Sequence, residues 1–180
     1  MVAGGPPAGL PGSAAQSALL TGLPPIIDAG VETLILGSFP SPASLAAGQY
    51  YAHRQNQFWR VLEVLLGQSL VSQEYAERQR CLLAHRIGVW DVYRRCSRVG
   101  ALDSAIQEAE PNDFGLLKTI APKLQRVCFN GKTSARFERW FAEQGYLTQT
   151  APSTSPAYTL AFERKLELWR QALSGQPSGG

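Results

Sequence analysis

The sequence is short of the residues from which metal and redox sites are built. Its three cysteines, Cys81, Cys96 and Cys128, are widely spaced and never form a C-x-x-C pair. That excludes a disulfide framework, a four-cysteine iron–sulfur cluster and a four-cysteine zinc site. Only two histidines, His53 and His85, are present, too few for a histidine-rich metal centre. The cysteines read as small buried apolar residues, and neither a metal nor a cofactor is expected. No uninterrupted apolar run is long enough to span a bilayer. The opening MVAGGPPAGLPG has neither the basic nor the apolar part of a secretory signal. A soluble, cytoplasmic protein is therefore the expectation. Phosphate-loop, dinucleotide-fingerprint and hydrolase-elbow motifs are all missing.

What is present is a mild basic excess. Seventeen lysines and arginines against fourteen acids give a net charge of +3, and most of the positive charge is arginine. Arginine's planar fork matches phosphate oxygens. An excess this small does not by itself establish a polyanionic partner, since many enzymes of small anionic metabolites share it.

The chain of 180 residues fits one domain with a sizeable core. Residues 1–22, rich in Gly, Ala, Pro and Ser, read as a flexible lead-in, and residues 174–180 as a flexible tail, leaving 23–173 as the domain. Within it, apolar runs stopped by turn residues alternate with helical spacing. TLILG (Thr33–Gly37), IGVWDV (Ile87–Val92), RVCFNG (Arg126–Gly131) and YLTQT (Tyr146–Thr150) predict four strands. Helices are predicted over Phe58–Leu66, Glu74–His85, from the Asn112-Asp113 cap through Ile120, over Thr133–Glu143 and over Tyr158–Leu173. Strands joined by helices predict an α/β, three-layer sandwich with a short, mainly parallel four-stranded sheet flanked by helices. Ligands of such a sheet bind at the carboxyl ends of its strands.

Four loops should meet there: Ser38–Asn56, Asp91–Arg98, Asn130-Gly131-Lys132 and APSTSPAY (Ala151–Tyr158). Asp91 is the one acid directly at a strand end, so paired-carboxylate chemistry is not indicated. Ser153, Thr154 and Ser155 have no histidine nearby in sequence to activate them. The hydroxyls and backbone donors of Ser153, Thr154, Ser155 and Pro156 instead suit phosphate oxygens. Phe39, Tyr50 and Tyr51 offer flat surfaces to a base. Asn56 and Gln57 can read a heterocycle edge or hold a water. Together these describe a pocket for a flipped nucleobase beside a phosphate clamp.

Taken in order, LILGSFPSPASLAAGQYYAHRQNQFW, RIGVWDV, VCFNGKTSARF and APSTSPAY resemble the uracil-DNA glycosylase superfamily, closest to its hypoxanthine-DNA (deoxyinosine) branch, often counted as the sixth family. The likeness runs from about Pro24 to Trp169. It implies a metal-free enzyme that flips a deaminated base from DNA and cleaves its N-glycosidic bond with water, leaving an intact abasic site. DNA carrying a deaminated base, hypoxanthine first and uracil or xanthine after it, is the implied partner of a monomer. On this resemblance Gly37, Ser38 and Phe39 fall on the first superfamily motif and Asn56 matches the catalytic asparagine. Tyr51 and Asp91 join the base pocket, Asp91 standing where some relatives place a base-reading asparagine. Ser153 to Pro156 fall on the motif that pinches the DNA backbone. Two departures stand out: Phe39 occupies a position usually held by a water-activating polar residue, and Ser153 one usually held by histidine or asparagine. Both speak against robust uracil excision.

Blander roles exist for each residue. Asn56 suits a helix cap, Asp91 a turn or an ion pair with Arg94 or Arg95, and the PSTSP segment a rigid turn. Phe58 and Trp59 suit the core, His53 a structural or phosphate-facing place, and Arg94, Arg95 and Arg98 a solvated face. Tyr158 is the first candidate for a wedge filling the gap left by a flipped base. A non-catalytic DNA- or nucleotide-binding protein and a mismatch-type uracil or thymine glycosylase are the alternative functions.

Overall fold

The computed structural model describes residues 18–175; residues 1–17 of the expected lead-in and 176–180 of the expected tail lie outside the described residues. In chain order the elements are β1 (Leu20–Thr21), β2 (Thr33–Gly37), α1 (Pro42–Ala47), α2 (Phe58–Leu66), α3 (Tyr75–Ala84), β3 (Ile87–Asp91), β4 (Tyr93–Ser97), β5 (Gln107–Pro111), α4 (Leu117–Ile120), β6 (Arg126–Asn130), α5 (Glu138–Glu143), β7 (Leu147–Ala151) and α6 (Phe162–Ser174). The strands β3-β2-β6-β7, in that order, form a parallel sheet, so the predicted four-stranded α/β sandwich is what the chain adopts.

Strands β2, β3 and β6 are buried on both faces because they are apolar at successive positions, while the edge strand β7, LTQTA, is largely exposed. Period-two alternation then sorts the side chains into two cores. Ile35, Val89 and Cys128 point to one side, where Phe58, Trp59 and Leu62 of α2, Leu82 of α3 and Trp169 of α6 cover them. Leu34, Leu36, Trp90, Val127 and Phe129 point to the other, against Phe114, Leu117, Phe141 and Tyr146. Helix α2 begins at Phe58 and ends at Gly67, which takes a left-handed φ of 62°, the conformation in which a Cβ is costly.

Several features depart from the sequence expectation. Pro42–Ala47, expected in a loop, is helical: Ser41 caps it by accepting the Ser44 N–H, and Pro42 occupies the first turn. The final helix starts at Phe162, not Tyr158. The segment after Asp91 is not a loop but β4, which pairs antiparallel with β1 and β5 in a second, three-stranded sheet. Glu110 holds this hairpin by accepting from both Arg94 and Arg95. Strand β5 reads QEAEP, a composition poor in strand formers, so only its partners reveal it. Leu20–Thr21, assigned by composition to the lead-in, is paired with Arg95 and Cys96.

Candidate active site at the carboxyl ends of the parallel strands

Parallel pairing brings the ends of the strands level. Gly37 lies beside Asp91 in register, and Asn130 beside Ala151. The loops that follow enclose a cavity of about 240 Å³ lined by Gly37, Ser38, Phe39, Tyr51, Asn56, Asp91, Ser153 and Ser155, together with Asp103, Asn130 and Tyr158. Eight of the ten residues expected at the site therefore share one cavity. Thr154 does not face it freely: it is fully buried, its hydroxyl accepting from Asn130 Nδ2 at 3.0 Å and its N–H donating to Asn130 Oδ1 at 3.0 Å. Pro156 lines a neighbouring groove instead.

The floor is tight. A Cβ on Gly37 would come within 2.5 Å of Asp91 Oδ1 and 2.7 Å of the Tyr51 hydroxyl, so glycine is required for both groups to converge over the strand end. Tyr51 sits in the left-handed region, φ 55°, a conformation costly for a bulky residue. Its ring stacks on Phe58 with centroids 4.0 Å apart. Phe58 is in turn fully buried, which places it in the core. Nearby, the Tyr50 hydroxyl donates to the Pro24 carbonyl at 2.9 Å, and the Trp59 indole donates to the Tyr50 carbonyl at 2.9 Å. These bonds fix the loop that carries Asn56.

Asn56 has two roles in view. Its Oδ1 accepts the Phe58 N–H at 3.0 Å from just outside the helix, while the cap position of α2 itself is Gln57 and carries no side-chain cap bond. An amide oxygen has a second lone pair, and Asn56 also lines the cavity. The Gln57 N–H donates to the Thr154 carbonyl at 3.0 Å, stitching this loop to the serine-rich one. Ser153 and Ser155 hydroxyls accept the Ser155 and Ala157 N–H groups, which leaves their own protons available to an acceptor.

Asp91 is 4% exposed, and its Oδ2 has no hydrogen-bond partner among the described residues. Burial, reinforced by Asp103 and opposed by Arg98, pushes its carboxyl up to about 7. It pairs with neither Arg94 nor Arg95, which are taken by Glu110. Burial likewise keeps the Tyr51 and Tyr50 hydroxyls protonated.

Four contributors escaped the sequence reading. Asn130 ends β6 in a segment already recognised as a site loop, and its strand-end position was the available signal. Asp103 accepts from the Ser38 hydroxyl at 2.7 Å across 65 residues; it reaches the cavity from the β4–β5 connection. Arg98 is buried, not solvated: it donates to the Pro40 carbonyl at 2.6 Å and lies 5.3 Å from the Phe39 ring centroid. Lys165 of α6 is buried under the serine loop, donating to the Tyr158 carbonyl at 2.6 Å. Among the described residues no three His, Cys, Asp or Glu side chains converge as a metal site, and no helix is long and apolar enough to cross a membrane.

Comparison with known proteins agrees with this geometry. Residues 24–174 match the model of the uracil DNA glycosylase superfamily. The chain is 40% identical over 151 residues to a hypoxanthine DNA glycosylase of Methanosarcina barkeri, covering 84% of this chain and 96% of that one. It is 41% identical over 136 residues to a hypoxanthine DNA glycosylase of Methanosarcina acetivorans, covering 76% and 86%. A solution NMR structure of a candidate uracil DNA glycosylase from Methanosarcina acetivorans superposes with a TM-score of 0.78 at 37% identity, covering 85% of this chain and 95% of that one.

Proposed function

The chain belongs to the uracil DNA glycosylase superfamily, and from that premise we propose that it removes hypoxanthine from DNA with Asn56, Asp91 and the serine loop as its working parts. It is a monofunctional DNA glycosylase of base repair, acting on deaminated bases. The observation that supports the assignment of roles is their convergence: the Asn56 amide, the Asp91 carboxyl and the Ser153 and Ser155 hydroxyls line one cavity at the strand ends.

Deamination turns a ring nitrogen that only accepts into one that carries a proton: N1 of hypoxanthine against N1 of adenine, N3 of uracil against N3 of cytosine. The ionised Asp91 carboxyl, with its free Oδ2, accepts that N–H. The base edge is thus read once the nucleotide has left the stack. Phe39 and Tyr51 wall the ring. Ser153 and Ser155 donate to the phosphates that flank the extruded nucleotide, while Thr154 and Asn130 hold the loop in place from behind.

The N-glycosidic bond breaks ahead of water attack, leaving positive charge on the sugar. Water held by the Asn56 carbonyl oxygen adds to C1′. One of its protons ends on the departing base, and the products are free base and abasic DNA. Amide oxygen is a weak base, so Asn56 acts by position and dipole rather than by proton abstraction. Phe39 has no group with which to activate water, which concentrates that task on Asn56. The protein works as a monomer in the cytoplasm, with no lyase step.

The test uses labelled oligonucleotides carrying one hypoxanthine, uracil or xanthine, in single strands and in each pairing, with abasic sites revealed by alkali. Hypoxanthine is expected to leave fastest, and Asn56→Ala to lose at least ~100-fold in rate, the lower end of what a positioned catalytic group contributes, while keeping its fold. Dominant uracil excision would reassign the branch. Strand nicking without alkali would remove the monofunctional reading. A folded wild type that excises nothing would leave a DNA-binding protein on this fold.

A further inference from the structure

Beside the base cavity lies a second, larger depression of about 860 Å³ that shares Tyr51, Asn56 and Tyr158 with it, so the two are continuous. The charged side chains lining it are Arg54, Arg60, Arg78 and Lys165, and no Asp or Glu is among them. Elsewhere six arginines are paired with glutamates; none of the four groove cations is in an ion pair among the described residues. Arg54 is exposed. Arg60 lays its guanidinium 3.8 Å from the Phe162 ring centroid, which uses the flat face and leaves the N–H edge to a ligand. Arg78 is held by the Gln73 and Val71 carbonyls.

Lys165 adds an independent observation. The residue is 1% exposed, and Nζ donates to the carbonyls of Tyr158 at 2.6 Å and Ser155 at 3.5 Å and lies 5.3 Å from the Tyr158 ring centroid. Buried cations are ordinarily matched by a counter-charge. Among the described residues no acidic side chain pairs with it at the place where the serine loop meets the groove. Through Asp103, Ser153 and Tyr158 the base cavity also adjoins another depression, whose charged lining is Lys132 with Asp103, one cation against one acid.

We propose that the strand carrying the target base leaves the cavity along this groove, so that the lesion strand is gripped on one side only, with phosphates on Arg54 and Arg60 above the buried charge of Lys165. This rests on the glycosylase reading for its ligand. It adds a polarity: contact with several nucleotides on one side of the lesion and few on the other.

The experiment measures affinity for a fluorescein-labelled single strand carrying one hypoxanthine by anisotropy at 50 and 200 mM salt. Excision is run to completion so that one DNA species is present. Wild type is compared with Arg54→Gln/Arg60→Gln and with Arg86→Gln/Lys123→Gln, an equal charge loss at the amino ends of the strands. Each phosphate contact of a single strand contributes roughly 0.7 to the salt slope. Over this fourfold rise in salt the wild type should therefore lose about 7-fold more affinity than the groove variant, which lacks two contacts. The control should behave as wild type. Shortening the oligonucleotide on one side of the lesion should erase the difference between wild type and groove variant; shortening the other side should not. A groove variant with the wild-type slope, or equal effects of the two truncations, overturns the proposal. A wild type that binds with this polarity yet excises nothing overturns the glycosylase reading and leaves the groove standing.

Discussion

Replacing Asp91 with asparagine separates the cost of a buried carboxyl from its use. The side chain is 4% exposed, and burial moves its titration from an ordinary 3.8 to about 7. Below 3.8 the group is protonated in the folded and unfolded chain alike and its stabilising term is fully present. Between 3.8 and about 7 the folded protein keeps a proton that the unfolded chain gives up, so stability falls as pH rises. Above about 7 both states are ionised and the loss is complete. Roughly three units at about 1.4 kcal/mol each amount to about 4 kcal/mol, a large share of a typical domain's stability. Asparagine has nearly the same shape and does not titrate. In denaturant titrations from pH 4 to pH 8.5 the stability of Asp91→Asn should rise relative to wild type by about that amount, most of it before pH 7. The same substitution leaves an amide oxygen to accept the ring N–H, so excision should persist at a reduced rate. Wild-type excision should climb with pH through about 7 as the carboxylate forms, and the variant's profile should be flat there. Parallel stability curves for the two proteins from pH 4 to 8.5 would show that the carboxyl titrates as an ordinary one, and the reasoning from burial would be wrong.

Other expectations follow from neighbouring contacts. Gly37→Ala forces a methyl to within 2.5 Å of Asp91 and 2.7 Å of Tyr51; overpacking of this kind costs roughly 1–3 kcal/mol, so thermal unfolding should drop by several degrees and excision by much more, and a variant with wild-type melting and rate would show that the floor yields easily. Asn130→Ala strands the buried N–H and hydroxyl of Thr154; a loss on the order of 3 kcal/mol with weakened DNA binding is expected, and unchanged proteolytic resistance of the serine loop would contradict it. Arg98→Met removes the cation that opposes the upward shift of the Asp91 carboxyl, so the acid limb of the excision profile should move to higher pH; an unmoved limb would place Arg98 outside the field of Asp91.

The sequence by itself determined the parallel sheet and the end of it at which a site was to be expected. Apolar runs such as TLILG carry their burial on both faces, and helix starts and stops such as Phe58 and Gly67 are local events that neighbouring residues dictate. The positions of Asn56 and Asp91 at element ends were legible for the same reason, while the roles expected of them came from the resemblance of the ordered motifs. Other parts were decided only by tertiary structure, because they rest on partners distant in the chain. Ser38 meets Asp103 across 65 residues, and Arg98 meets Pro40 across 58. Strand β5 is polar and becomes a strand only through pairing with β4. Thr154 and Ser153 are adjacent and chemically alike in sequence; one is buried against Asn130 while the other lines the cavity. Lys165 looks like any helical lysine until α6 packs beneath the serine loop and excludes water from it. Local pattern sets which segments fold and how. Which polar groups end up facing each other, dry and unpaired, is a property of long-range packing, and the charge balance of the site is made there.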